Sequence, residues 1–191
     1  DYDALSAAAA HMVASVIAAK PDAAIIMPTG NTPVGMYRHL AALRKHGKID
    51  TSRVRIFQLD NYTGVADDDP RSLFRWMNME FLEPMAIPPA HVVRLPGVGM
   101  DPAVACAAYE MAVKASGGID LSMLGLGPNG HLGFNEPPVA IDVPTRTLPL
   151  TEETIESNSA YWGGRDRVPR QAITAGLDIL LAARQTLMLV S

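Results

Sequence analysis

Short apolar runs alternate with longer amphipathic stretches along this chain, the pattern of a parallel sheet covered by helices on both faces. Residues 3–19 read as a helix, a Pro-Asp break follows, and residues 23–27 read as a strand. Thr32 and Pro33 then start a helix to about Lys45, ahead of a strand at 54–59. Further on, the pattern predicts a helix at 70–82, a strand near 91–95, a helix at 101–114 and a strand at 121–124. An extended stretch at 145–150, a helix near 152–158 and a strand at 186–190 complete the reading. No internal repeat, low-complexity tract or linker interrupts it, so residues 1–191 are expected to form one α/β domain. The last apolar run, at 187–191, reads as a buried strand cut short, and the natural chain is expected to continue past it.

Three of these strands end directly in glycine-rich or acidic segments: PTGNTP at 28–33, DNYTG at 60–64 and GLGPNGHLGFNEP at 125–137. In open α/β sheets ligands bind beyond the carboxyl ends of the strands, so three loops distant in sequence are expected to converge on one pocket.

Each loop offers different chemistry. Thr29, Gly30, Asn31 and Thr32 join a strand to a helix N-terminus with backbone N–H groups and two hydroxyls, which suits a phosphate. The loop is neither a Walker A sequence nor a dinucleotide fingerprint, and its threonines could equally be helix caps. Asp60, at a strand end, is a candidate base for a proton next to a carbonyl; taken alone, it also suits a turn former. In the third segment Gly125, Gly127, Gly130 and Gly133 let the backbone approach a ligand. There His131 is the candidate proton carrier, oriented by Asn129, by Glu136 or by both. His11, His39, His46 and His91 are expected to be solvated or packed, residues 67–69 to form a solvated acidic turn, and residues 76–81 to be core.

Composition narrows the function. With 48% hydrophobic and 19% charged residues the chain is of the soluble globular class. A net charge of −4 argues against a broad basic surface for nucleic acid or an anionic membrane, while a small anionic ligand stays compatible with local donors. Cys106, the single cysteine, permits no intramolecular disulfide or cysteine zinc cluster and falls in an apolar helical run. No HExxH or comparable ligand spacing argues for a metal. No apolar run is read as reaching the roughly 18 residues of a membrane span, and a cytoplasmic location is expected.

The three segments PTGNTP, FQLDNYTG and GLGPNGHLGFNEP, in this order and spacing, resemble the glucosamine-6-phosphate deaminase/isomerase family. DPRSLFRWMNMEFL and LTEETIESNS extend the resemblance over nearly the whole chain. The related 6-phosphogluconolactonases carry a third motif like GxDGHTASLF, and the GHLGFNEP ending here is similar to the deaminase side. The resemblance implies a Rossmann-like three-layer fold and a metal-free reaction with no organic cofactor on an amino-sugar phosphate. His131 would assist ring opening, Asp60 would carry a proton between C2 and C1, and Glu136 would support the histidine. Thr29, Gly30 and Thr32 would form the phosphate loop. Assemblies from monomers to hexamers occur in such a family, so a homo-oligomer fits the resemblance.

Departures from the family pattern bear on specificity. Asn129 stands where the glucosamine enzymes usually have Asp, and resembles the galactosamine-6-phosphate branch. An amide supplies no charge to an imidazolium, so the histidine is expected to titrate lower than beside a carboxylate. Asn61 replaces a usual Glu and Ala160 a phosphate-binding Arg, for which Arg165, Arg167 or Arg170 are candidate substitutes. The family's phosphate-binding lysine would lie beyond Ser191. Of the family's effector-site cations, Arg146 fits and Leu148 does not, so activation by N-acetylglucosamine 6-phosphate is expected to be weak or absent.

Overall fold

The computed structural model describes residues 1–127 and 129–190. Five strands form a parallel sheet in the order β4-β2-β1-β5-β8: Val92–Val93 (β4), Arg55–Gln58 (β2), Ala24–Met27 (β1), Leu121–Gly125 (β5) and Gln185–Leu189 (β8). β1 is central, buried along its whole length and uniformly apolar, as a parallel strand covered on both faces must be. Successive side chains face opposite ways. Ile25, Met27, Ile56 and Met123 thus enter one core with α1 (Tyr2–Ala19) and α2 (Val34–Lys45), whereas Ala24, Ile26, Phe57 and Leu124 enter a second with α4 (Pro102–Ala115). The expected three-layer architecture is observed.

The sequence pattern did not indicate a second sheet. Asp60–Tyr62 (β3), Arg146–Pro149 (β6) and Gln171–Thr174 (β7) form an antiparallel sheet in the order β3-β7-β6. Its Tyr62 packs with Phe134, Ile155 and Trp162, the last two from α5 (Glu152–Trp162). The chain passes from one sheet to the other at Leu59, whose carbonyl accepts from Ala175 N–H. Buried Gln58 braces the crossing: its amide donates to the Asp60 carbonyl (2.9 Å) and accepts from Leu95 N–H (3.1 Å).

Several boundaries differ from expectation. The helix expected at 70–82 is a short α3 (Leu73–Met77), opened into a wider π turn over Asn78–Leu82. A short α6 (Leu177–Leu181) was not anticipated. By length and composition α1 does meet the condition for a membrane span, 18 residues at mean hydropathy 1.3, contrary to the sequence reading. Its Ala9, Ala10, Val13 and Ile17 are buried in the first core. The acidic turn is ion-paired rather than merely solvated: Asp69 is bidentate to Arg71 and Asp67 pairs with Arg94.

Candidate functional site

A cavity of about 450 Å³ opens where the C-terminal ends of β1, β2 and β5 meet the small sheet. The three loops converge there, each contributing lining: residues 28–33, then Asp60 and Tyr62, then Gly125, Leu126, Gly127, His131, Gly133 and Phe134. Thr154, Asn158 and Tyr161 add a wall at helical spacing from α5, which the sequence reading did not identify. Trp76, assigned to the core from sequence, also reaches the cavity.

Asp60 sits at the crossing between the sheets, opposite Thr174 across the antiparallel register. Its side chain is nearly inaccessible, and Oδ1 has no hydrogen-bond partner among the described residues. Removal from water disfavours the charged form, so burial pushes the carboxyl up to about 7. Gly133, at φ +60°, lies against it; a Cβ there would meet Thr174 Oγ1 at 2.8 Å and Asp60 Oδ2 at 3.4 Å. Phe134 N–H donates to Thr174 Oγ1 (3.2 Å), which fastens the histidine loop to the strand facing Asp60.

His131 is half-buried and folded back over Gly127, where any Cβ would collide with the imidazole ring. This is the close approach that requires glycine at 127. Asn129 Oδ1 accepts from the backbone N–H of His131 (3.2 Å) and contacts its ring Nδ1 at 2.7 Å. A backbone N–H can only donate, so the amide oxygen must face the ring and Nδ1 must carry the proton. Nε2 is left with its lone pair. Burial lowers the pKa of His131 below the ordinary histidine value, while Glu136 and Glu153 pull weakly the other way.

Glu136 corrects one expectation. It does not line the cavity or hydrogen-bond His131; Thr154 Oγ1 donates to its Oε1, and Oε2 is buried without a partner among the described residues. Of the two groups proposed to orient His131, Asn129 does so directly, while Glu136 contributes charge at a distance and ties its loop to α5. Asn61, where the family pattern has a carboxylate, is turned away: its amide donates to the Leu95 carbonyl (3.0 Å).

The remaining loop supplies Thr29, Gly30, Asn31 and Thr32 to the lining, with Gly30 at φ +102°. Neither threonine caps α2, whose first residue follows Pro33 with no side-chain cap bond. The arginines considered as phosphate ligands lie elsewhere. Arg165 pairs with Glu152 and Glu156, Arg170 reaches Asp166 at 4.0 Å, and neither these nor Arg167 lines the cavity. Arg146 is engaged internally, donating to Asn135 Oδ1 at 2.7 Å. The arrangement thus provides a buried carboxylate able to exchange a proton near neutral pH, an imidazole base and a hydroxyl-rich turn around one cavity.

The family model describing glucosamine-6-phosphate isomerases/6-phosphogluconolactonase matches residues 2–191. A glucosamine-6-phosphate deaminase of Halothermothrix orenii is 42% identical over 191 residues, covering 100% of this chain and 79% of that protein. One from Thermoanaerobacter sp. is 39% identical, covering 100% and 76%. Among solved structures, one described as a monomeric glucosamine-6-phosphate deaminase superposes with a TM-score of 0.94 at 34% identity, over 98% of this chain and 78% of that one. A 6-phosphogluconolactonase from Plasmodium vivax, 19% identical with a TM-score of 0.75, covers 98% and 72% and shares the fold.

Proposed function

Because this chain belongs to the family of glucosamine-6-phosphate isomerases and 6-phosphogluconolactonases, we propose that it converts glucosamine 6-phosphate to fructose 6-phosphate and ammonia. The observation that carries the reading is the pairing, in one cavity, of a desolvated carboxylate at Asp60 with an imidazole whose Nε2 lone pair is free to accept a proton. His131 takes the proton of the anomeric hydroxyl as the ring bond from C1 to O5 breaks, and O5 is protonated in turn. Asp60 removes the C2 proton, the C1=C2 double bond forms, and the aldehyde oxygen becomes a hydroxyl. Returned to C1, that proton leaves an iminium at C2, which water hydrolyses to the ketone and ammonia. Thr29, Gly30, Asn31 and Thr32 receive the phosphate, Gly127 leaves room for the histidine, and Asn129 holds its tautomer. Glu136 acts through Thr154 and through its charge.

The solved relative described as a monomeric glucosamine-6-phosphate deaminase supports action without a partner copy. The reaction is placed in the cytoplasm as part of this reading, the compartment that retains a phosphorylated sugar made within it, because the charged group does not cross a bilayer unaided.

The test is ammonia release on incubation with glucosamine 6-phosphate, galactosamine 6-phosphate and 6-phosphogluconolactone in parallel. Ammonia from the glucosamine substrate is the expected result. Turnover of the galactosamine epimer alone would move the specificity, and lactone hydrolysis without ammonia release would overturn the reading.

A further inference from the structure

The turn at 29–33 leads into α2 without a side-chain cap from Pro33, yet the first two N–H groups of the helix have partners. Val34 N–H donates to the Asn31 carbonyl (3.2 Å), and Gly35 N–H donates to the hydroxyl of Tyr2 (3.0 Å). That hydroxyl shares its own proton between the carbonyls of Asn31 (3.1 Å) and Thr32 (3.0 Å). A phenol from α1, 33 residues upstream of Gly35, therefore does what a serine or aspartate at the N-cap does elsewhere.

Gly35 admits this contact. A Cβ at 35 would lie 2.9 Å from Tyr2 Cε1 and would overlap Ser6 Oγ. The contact also sets the direction of one peptide. The amide is planar and trans, so with the Asn31 carbonyl drawn toward Tyr2, the Thr32 N–H of the same unit points away from it. Asn31 and Thr32 both line the cavity.

Resting on the function argued above, we propose that Tyr2 is a positioning residue for the phosphate turn, its hydroxyl holding residues 31–35 in the conformation that receives the substrate's phosphate. Tyr2 touches no reacting atom, so it affects capture of the phosphate and not the proton transfers at C1 and C2.

The test is Tyr2→Phe, which keeps the ring against Gly35 and deletes only the hydroxyl. KM for glucosamine 6-phosphate rises about five- to tenfold, as expected for the loss of a hydrogen bond, and kcat stays within about twofold. The dissociation constant of inorganic phosphate, measured by calorimetry, rises by a similar factor. Asp3→Ala is the control: it cuts a different polar contact between α1 and α2, to His39 Nε2 at 3.1 Å, leaves the turn alone and keeps the wild-type KM. The proposal is overturned if Tyr2→Phe leaves KM and phosphate binding unchanged, if it lowers kcat at constant KM, or if Asp3→Ala raises KM as much. Absence of phosphate binding by the wild-type protein overturns it too. Because calorimetry needs no turnover, weaker phosphate binding in a protein that releases no ammonia would fail the function while leaving the role of Tyr2 standing.

Discussion

A carboxyl group that loses water on folding holds its proton longer, and at Asp60 nothing among the described residues offsets that loss at Oδ1. The folded value of about 7 lies above that of the unfolded chain, so the native state is penalised at pH above the unfolded value and the penalty vanishes below it. Asp60→Asn should therefore stabilise the protein by about 1–3 kcal/mol at pH 8 and leave stability unchanged near pH 4. Over the same substitution kcat should fall about 10²- to 10⁴-fold. Urea denaturation at the two pH values, with steady-state rates at pH 8, checks both; lower stability at pH 8 would refute the account. His131 adds a second proton to the profile. Activity needs Asp60 charged and His131 neutral, so log kcat/KM should begin to fall as pH drops through about 7. A further proton should enter below the ordinary histidine range. In Asn129→Asp the new carboxylate favours the imidazolium and raises that second pKa. The acid limb should then steepen at higher pH than in the wild type, and superimposable profiles would count against the assigned tautomer and charge.

Among the elements, α5 decides how the histidine loop meets the cavity wall. Thr151 caps this helix by accepting from Thr154 N–H (3.2 Å), and Thr154 in turn donates its hydroxyl to Glu136. Thr154→Val keeps the shape and strands a buried carboxylate, so kcat/KM should drop about tenfold with the helix intact by circular dichroism. Thr154→Ser should restore most of it, and a serine variant as impaired as the valine one would point to packing instead of the hydrogen bond. None of this could be read from spacing, because Glu136 and Thr154 are 18 residues apart on different elements. The parallel sheet was legible, since strands such as Ala24–Met27 are continuous apolar runs between glycine and proline breaks. The antiparallel sheet was not. Asp60–Tyr62 spans three residues, too few to show a period of two, and its partner Gln171–Thr174 lies over a hundred residues on. The same limit applies to the site: His131, Asp60 and the 28–33 turn stood out through residue type after a strand, whereas Thr154, Asn158 and Tyr161 are ordinary helix residues until the fold brings them to the cavity.

Taken as a whole, the molecule separates its chemistry from its fastening along the strand axis. The C-terminal ends of β1 and β5 open into the cavity, while their N-terminal ends are gathered on one buried carboxylate, Asp120. Its Oδ2 accepts from Ala24 N–H at the start of β1 (2.8 Å), Lys20 is bidentate to it (3.0 and 2.8 Å), and Arg184, just before β8, donates at 3.2 Å. Burial alone would raise this group, but the lysine, the backbone donor and the arginine outweigh it and hold Asp120 below the usual carboxylate range. Both cations are substantially exposed, which discounts their Coulombic share, so the buried backbone bond carries much of the effect. Asp120→Asn should cost about 1–3 kcal/mol at pH 7 and leave kcat/KM within about twofold, because none of Lys20, Ala24, Asp120 and Arg184 lines the cavity. The sign of the pH dependence is opposite to that at Asp60. A depressed folded pKa stabilises the protein above the unfolded value, and the contribution disappears as pH falls through the folded one. The difference in Tm between wild type and Asp120→Asn should therefore be full at pH 7, shrink as pH falls below the unfolded value and close once pH has passed the folded one. A gap that persists there would mean that shape, not charge, fastens the strand ends, and a large loss of kcat/KM would mean that the two ends of the sheet are coupled after all.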